Sequence, residues 1–364
     1  MRDREVAGGE WDGAWIDTIP VARLGEADNI PLYQVRGAVL FGDTIVVAER
    51  STGKLHFFNR TGEFIKSAGG LGGGPGESEY LWGVQRLGEH LYTYDVVQRR
   101  VSQFASDGSL LRTFRIDPVE EYTNVFLAGV FADRSLLVVA NIVHDGQVQG
   151  AYRRRVVLLR YDSTGAYVDS LHPYFGGDLY AESTPTYNYS GQIPFGRRTI
   201  SLPYGSHYYL LENNDYSIGV FDQDGMKVRE LRPQEEPPEP VTPEHSEAIR
   251  KYYGPHPDLP SWVAPKMVDL FDRLPIADTF PPYGWYGNPK KDLKVASVSS
   301  VGDLWVLNGD ELPGWTVFTE DGSVRGHVRA LEVLDVLDAD DEIAVVLRWD
   351  ELDVETVEVR RIRR

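Results

Sequence analysis

The sequence predicts an all-β protein made of repeated four-stranded units, because two patterns recur along its 364 residues. The first pattern is an aromatic residue, three mostly polar residues and a glycine. Its five copies occupy residues 58–62, 104–108, 161–165, 221–225 and 318–322. Each copy ends one apolar run and precedes another, which indicates two strands joined by a tight turn. Glycine supplies the positive φ that such a turn needs.

The second pattern is an apolar, strand-like run with turn residues before it. Its six copies begin at Thr44, Leu91, Leu136, Tyr208, Leu304 and Ile343. The distance from this run to the next turn glycine is 17 or 18 residues in four units and 29 in the third. A nearly constant spacing with one insertion is typical of a repeat protein.

Each unit therefore contains four strands, and four-stranded antiparallel units of this length arranged around an axis are β-propeller blades. The predicted fold is one six-bladed β-propeller over residues 14–364. The blades are expected at about 35–68, 82–116, 127–171, 197–232, 293–329 and 330–364. The last blade is one strand short, and residues 14–22 are expected to supply its outer strand, which closes the ring and removes two exposed edges.

The longest interruption of the repeats is a proline-rich insert at residues 233–289, between blades four and five, with 13 of the 22 prolines. Two short helices are predicted inside it. Thr242 can cap one that Pro243 begins, and an apolar stripe within residues 264–275 predicts the other. The long connections at 144–154 and 172–195 lie at the same end of the units. We expect that face to carry the function, with the insert as a lid.

Charge and composition exclude several classes of function. The net charge of −18 argues against nucleic acid as a partner, and the basic runs at 153–155 and 360–364 are interpreted as solvated strand faces. The lack of cysteine excludes disulfides, thiolate metal sites and cysteine nucleophiles. No stretch is apolar enough for a membrane span, and the first residues lack the apolar core of a signal peptide.

The stretch GGLGGGPGESEY, residues 69–80, has six glycines but does not match a nucleotide-binding loop. A phosphate-binding loop needs a lysine and a hydroxyl residue after its last glycine, and here Glu77, Ser78 and Glu79 follow. The spacing also fails the dinucleotide pattern, since Pro75 stands at the position of the third glycine. We interpret the stretch as a connection from blade one to blade two.

The inner strand, the G-[DN]-x-L-[WY]-V and F-x-x-x-G patterns and the G-x-G-x-G-P-G-E loop resemble the bacterial six-bladed propellers related to NHL repeats. The resemblance covers residues 15–362. It implies the fold and says little about function, because this architecture includes lactonases, lyases, sensors and binding domains. Since such relatives are often exported, the resemblance also implies a place outside the cytoplasm.

Four oxygen-bearing residues stand at equivalent positions, five residues into the second strand of their units. They are Glu49, Asp95, Glu212 and Asn308. Clusters of carboxylate and amide oxygens bind hard cations such as calcium, and the resemblance to gluconolactonase-type propellers implies such a set near the axis. The alternative, which we favour, is that each side chain caps the turn that follows it.

Aromatic, charged and histidine side chains on the long connections are candidates for ligand contacts or chemistry. The channel-mouth candidates are Glu77, Tyr187, Tyr189, Arg197, Tyr253 and Trp285. His144, His172, His245 and His256 are possible general bases, although none forms a metal-binding pair in sequence. The aromatic residues suit sugar or peptide recognition, or they form the core of the insert itself.

The favoured function is ligand binding or protein interaction rather than catalysis. The expected partner is a peptide, a carbohydrate or a protein held at the mouth of the axial channel, with no cofactor required and the chain a monomer. The alternative is a metal-dependent hydrolase or lyase of the lactonase-like type, using calcium or another divalent cation.

Overall fold

The computed structural model describes residues 10–142, 148–185, 188–232, 240–253, 274–281, 283–285, 293–309 and 312–364. At residues 251–253, 284, 285 and 309 the structure describes the backbone but not the side chains. The described chain folds as 27 strands and one helix, so the all-β prediction is confirmed. Among the described residues, no helix combines the length and the hydrophobicity needed to span a bilayer.

The strands form five hydrogen-bonded sheets, and the chain enters the fold through β1 (Ala14–Arg23). The first sheet is β2 (Val35–Phe41), β3 (Thr44–Glu49), β4 (Lys54–Asn59), β5 (Phe64–Leu71) and β6 (Glu77–Ser78). The second is β7 (Leu81–Leu87), β8 (His90–Asp95), β9 (Arg100–Ala105) and β10 (Leu110–Arg115). In both sheets, sequential strands pair antiparallel, except that the short β6 runs parallel to β5.

The third and fourth sheets follow the same plan. The third is β11 (Tyr122–Val130), β12 (Leu136–Ile142), β13 (Gly150–Tyr161), β14 (Tyr167–Ser183) and β15 (Asn188–Gln192). The fourth is β16 (Ile200–Tyr204), β17 (His207–Leu211), β18 (Ile218–Asp222) and β19 (Lys227–Leu231). Much of the connection predicted at 172–195 is therefore strand, because the ladder between β13 and β14 continues to the pair Gly150–Ala181.

The fifth sheet joins the two ends of the chain and has nine strands. Besides β1 it contains β20 (Gly284–Trp285), β21 (Ala296–Val298), β22 (Leu304–Gly309), β23 (Gly314–Phe318), β24 (Val324–Ala330), β25 (Leu334–Ala339), β26 (Ile343–Trp349) and β27 (Glu355–Arg363). Strand β1 divides it into two units. It pairs antiparallel with β27 from Trp15–Arg363 to Arg23–Glu358, and its first residues pair parallel with β24.

The first strands of these units contact one another in a cycle. Strand β2 contacts β7, β7 contacts β11, β11 contacts β16, β16 contacts β21, β21 contacts β25, and β25 contacts β2 again. The apolar core lies between neighbouring units. Ile45 and Val47 pack with Ile343 and Val345 on one face of the first sheet, and Val46 packs with Leu91 on the other. Burial on both faces explains why the second strands are continuous apolar runs.

The N-terminal segment is anchored by Trp11, which lies outside the predicted strand and is 1% exposed. Its ring makes an edge contact with Trp305, and the Arg325 guanidinium lies over it at 4.4 Å. A Cβ on Gly326 would come within 2.6 Å of the Trp11 backbone, so only glycine allows this approach. The anchor thus ties the start of the chain to the unit containing β24.

Within the insert, the structure contains helix α1 (Pro243–Tyr253), which begins where the sequence predicts. The Thr242 hydroxyl accepts the His245 backbone N–H at 3.4 Å, as expected for the capping residue. The second predicted helix, at 264–275, lies outside the described residues apart from its last two positions. An isolated antiparallel β-bridge joins Pro240, just before α1, to Thr279 later in the insert.

Candidate functional site

A cavity of about 530 Å³ lies where the first strands of the units meet. All six of these strands line it, together with parts of the neighbouring turns. Its polar and aromatic lining includes Arg36, Trp82, Gln85, Arg86, Tyr204 and Lys294. The volume falls within the range of small-molecule sites, and side chains converge on it from every unit. This hub cavity is the candidate site.

Side-chain hydrogen bonds to backbone atoms fix the walls of the hub cavity. Gln85 of β7 accepts the Val130 N–H at 2.7 Å and donates to the Val130 carbonyl at 3.0 Å, which ties β7 to β11. Arg86 donates to the Leu40 carbonyl at 3.0 Å, which ties β7 to β2. Because these links use groups on rigid strands, the cavity is preformed rather than assembled by loops.

Asp338 of β25 links three parts of the wall through its buried carboxylate. Its Oδ2 accepts the Leu40 N–H at 2.6 Å, and its Oδ1 accepts the N–H groups of Ser300 and Ala339 at 2.7 and 2.8 Å. Burial raises the pKa of Asp338 to about 6, although these three donors and the Lys294 charge act in the opposite direction. The residue therefore joins β25 to β2 and to the turn after β21.

Arg36 is the cavity cation whose guanidinium is least compensated. It forms no hydrogen bond or ion pair within the described part of the chain, and its Nε is buried without a partner there. Burial, and then the neighbouring Arg50, lower the pKa of Arg36. Arg50, in contrast, donates to Gln34 Oε1 at 2.8 Å and to the Tyr80 hydroxyl, and its guanidinium lies 4.5 Å from the centre of the Tyr80 ring.

Trp82 of β7 gives the hub cavity an aromatic wall. Its ring is 5.6 Å from that of Phe126 in β11 and stacks on Tyr80 at 6.3 Å. Despite these contacts, Trp82 is 45% exposed and lines the cavity. A large apolar ring held open to a cavity between rigid neighbours is suited to contact a ligand.

The candidates Glu77, Arg197 and Tyr189 do not line the hub cavity. Glu77 Oε2 accepts the Gly74 N–H at 2.8 Å, so this side chain shapes the glycine-rich connection. Arg197 forms a two-point ion pair with Asp178, with both nitrogen–oxygen distances at 2.9 Å, and so fastens β14 near the start of β16. Tyr189 lies in β15.

The other ligand candidates are less fully placed. Tyr187 lies outside the described residues, and for Tyr253 and Trp285 only the backbone, in α1 and β20, is described. Two backbone carbonyls of the glycine-rich connection bind one arginine. Arg100 donates to the carbonyl of Gly73, at 2.8 Å, and to that of Glu77.

The metal candidates Glu49 and Asp95 each form local hydrogen bonds. Glu49 accepts the hydroxyls of Ser51 and Thr52 and lies 3.3 Å from His56 Nε2. Burial acts to raise the pKa of Glu49, but these hydrogen bonds outweigh it and lower the pKa overall. Asp95 accepts the N–H groups of Glu79 at 2.7 Å and Gln98 at 3.0 Å. Both patterns match the alternative of turn capping.

The other two metal candidates, Glu212 and Asn308, also have partners within their own units. Glu212 Oε2 accepts from Asn214 at 3.3 Å, and Asn308 Oδ1 accepts the Thr316 hydroxyl at 3.3 Å. Within the described ranges, no group of three or more histidine, aspartate or glutamate residues has the arrangement of a metal site.

A calcium titration tests the metal prediction directly. Because the oxygens of Glu49 and Asp95 are engaged by neighbouring donors, we expect added calcium to leave the Tm unchanged, and EDTA to have no effect. Differential scanning fluorimetry measures both. A Tm that rises with calcium in the wild type but not in Glu49→Gln would contradict this expectation and support the metal-dependent alternative.

Of the four histidines suggested as general bases, the two that the structure describes, His172 and His245, contact different partners. His172 stacks between units, 4.9 Å from the Phe221 ring, with its Nδ1 at 3.1 Å from the Tyr208 hydroxyl. Burial lowers the pKa of His172. His245 packs against Phe280 and Phe195 beside α1. His144 and His256 lie outside the described residues.

Among solved structures, the chain is similar to a Bacteroides fragilis protein that its name classes with exported proteins, with a TM-score of 0.51 and 12% identity. The match covers 99% of this chain and 97% of that one. A DUF4221-family protein from Bacteroides vulgatus matches with a TM-score of 0.47 and 10% identity, over 92% of this chain and 95% of that one. This chain is a β-propeller.

A likeness at such low sequence identity does not show a shared activity. The calcium-binding regucalcin from Agrobacterium tumefaciens, for example, has a TM-score of 0.40 and 9% identity, with 93% of this chain and 94% of that chain covered. No family model matches the sequence, and no curated protein is similar to it. Any assignment of function to the propeller therefore depends on its own residues.

Proposed function

We propose that this chain is a six-bladed β-propeller that binds a small polar ligand, a carbohydrate or short peptide, in the hub cavity. The observation that carries the proposal is the cavity of about 530 Å³ lined by the first strand of every unit. Ligand sites of this kind are concave, largely preformed and few in each protein.

The count of six rests on the cycle of contacts among the first strands. Four units are separate sheets, and the nine-stranded sheet divides at β1 into two more. Each first strand contacts the next, and β25 returns to β2. Strand β1 then completes the unit of β25–β27 as its fourth strand, which leaves no open edge between the two ends of the chain.

The lining supports binding of a ligand with both apolar and polar groups. Trp82 offers a half-exposed ring, while Arg36, Gln85 and Lys294 supply polar groups around the same space. Trp82 and Arg36 lie near the amino-terminal ends of β7 and β2, the end that the glycine-rich connection enters. The lining also includes turn residues at the opposite ends of the first strands, such as Gly88, so the cavity extends along the axis of the ring.

Trp82→Ala is expected to weaken ligand binding by at least tenfold, because it removes the apolar surface over which the ligand packs. Arrays of glycans and peptides, probed with the wild-type protein, supply the ligands, and isothermal titration calorimetry measures their affinities. The matched control is Trp15→Ala, which removes a similarly exposed tryptophan on β1 that does not line the cavity. Array ligands that bind Trp82→Ala and wild type equally would refute binding in the hub cavity.

A further inference from the structure

The starting point is the charge on Arg36, which has no hydrogen-bond or ion-pair partner among the described residues. An arginine that is partly buried without a counter-ion costs free energy, and proteins retain such groups where a ligand supplies the missing charge. The carboxylate of Glu355 acts on the charge of Arg36, but its Oε2 already accepts the Val35 N–H at 2.8 Å. Arg50 adds a second positive charge beside it. The pair makes a local positive site in a strongly acidic chain.

The neighbouring residues hold this positive site in place. Arg50 is clamped between Gln34 and Tyr80, as described above, and its backbone N–H donates to the Gln34 carbonyl at 3.2 Å. Gln34 itself has a φ of 54°, a left-handed conformation that is unfavourable for a residue with a side chain. Strain of this kind is stored where the surroundings fix a functional geometry. At Gln34 this conformation turns the chain immediately before β2, the strand in which Arg36 lines the cavity.

The aromatic wall is adjacent to the positive site. Tyr80 contacts Arg50 through its ring and hydroxyl, and it stacks on Trp82, whose exposed face lines the cavity. Tyr80 also acts on the charge of Arg36, so it connects the apolar face of Trp82 to a guanidinium that has no partner among the described residues. The two groups suit a ligand whose ring bears an anionic group. Arginine binds a carboxylate through two parallel hydrogen bonds, so the match is one of shape as well as charge.

We infer that the hub cavity binds an acidic sugar, with the carboxylate of a uronic acid on Arg36 and the sugar ring packed on Trp82. This inference rests on the proposed function and names the class of its ligand. A compact sugar suits a cavity enclosed by strands on all sides, whereas an extended peptide would need an open groove or a free sheet edge along its length.

The test compares charged and neutral sugars of the same shape. Isothermal titration calorimetry with glucuronate, galacturonate, glucose and galactose is expected to show at least tenfold tighter binding of a uronate than of its neutral counterpart. In Arg36→Gln this preference is expected to disappear. Arg361→Gln, which removes an exposed arginine of β27 outside the cavity lining, is the matched control and should keep it.

The stability of the free protein separates a binding role from a structural one. Because Arg36 has no partner within the described residues, Arg36→Gln should leave the Tm of the ligand-free protein unchanged or raise it. A lower Tm would mean that Arg36 supports the fold, and would overturn the inference. So would equal affinity for uronate and neutral sugar, or no binding of either. In those last two cases the array ligands and Trp82→Ala still decide whether the cavity binds another ligand.

Discussion

Glu358→Ala is expected to lower the free energy of unfolding by about 3 to 5 kcal/mol, because it breaks the buried ion pair between Glu358 and Arg360. Glu358 of β27 is fully buried, and Arg360 on the same strand is 1% exposed. Glu358 Oε2 accepts from Arg360 Nε at 2.7 Å, and its Oε1 accepts from Arg23 of β1 at 3.2 Å. Without Glu358, Arg360 still contacts the carboxylate of Glu332, but the ion pair between Arg23 of β1 and β27 is lost.

The control for this prediction is Arg363→Ala, on the same strand. Arg363 pairs with Asp17 of β1 at 2.8 Å, but its side chain is 47% exposed. Solvent screens such a pair, so the expected loss is below about 1 kcal/mol. Urea unfolding at neutral pH measures both variants. Equal losses would mean that the closing strand is held mainly by its backbone ladder and not by the buried ion pair.

The tail that contains this ion pair departs from the sequence interpretation at one residue. The basic run at 360–364 is predicted to be a solvated strand face, and Arg361, Arg363 and Arg364 are exposed. Arg360, in contrast, is among the largest fully buried side chains. Its position is decided by β1, which covers β27 from more than 300 residues away in the chain. A run of charged residues on a strand faces solvent only where no other strand packs on it. Whether another strand does so depends on residues that are distant in the sequence.

The turns, in contrast, could be predicted because their chemistry is local. At residues 58–62 the Asn59 side chain accepts the Thr61 and Glu63 N–H groups at 3.0 and 2.9 Å, and Gly62 has a φ of 88°. All the groups that fix this turn lie within a few residues. The same is true of Asp95 and its turn, so the capping alternative could be seen from the sequence.

The candidate site could not be predicted in the same way. Arg36, Trp82 and Lys294 lie in or next to three different first strands, and only the ring of units brings them to one cavity. The sequence instead favours the long connections as the place of the site, because loops usually carry function. Sequence does carry a weak signal here: an arginine and a tryptophan stand at the second positions of two first strands, β2 and β7.

The second large effect concerns pH and Asp338. Burial raises the pKa of its carboxyl to about 6 in the folded chain, against an ordinary value of 3.8. Between these values the folded protein holds a proton that the unfolded chain has released. The stability contributed by Asp338 is therefore present at low pH and is lost as the pH rises to about 6.

Asp338→Asn isolates this contribution, because the amide keeps the shape of the carboxyl but does not titrate. We expect the free energy of unfolding of wild type, relative to this variant, to be about 2 to 3 kcal/mol greater at pH 4 than at pH 7. Urea unfolding at several pH values measures the difference. The comparison is needed because carboxylates with lowered pKa values, such as Glu49 and Asp178, contribute with the opposite sign.

The change of this free-energy difference with pH also tests which form of Asp338, protonated or ionised, stabilises the wall of the hub cavity. If the three backbone N–H donors to Asp338 outweighed its burial, its pKa would lie below 3.8 and the difference would increase with pH. A decrease means that the protonated carboxyl is the form that best joins β25 to β2, because an ion buried at this depth loses more hydration than three donors return. The seam where the ring closes would then be tightest in mildly acidic solution.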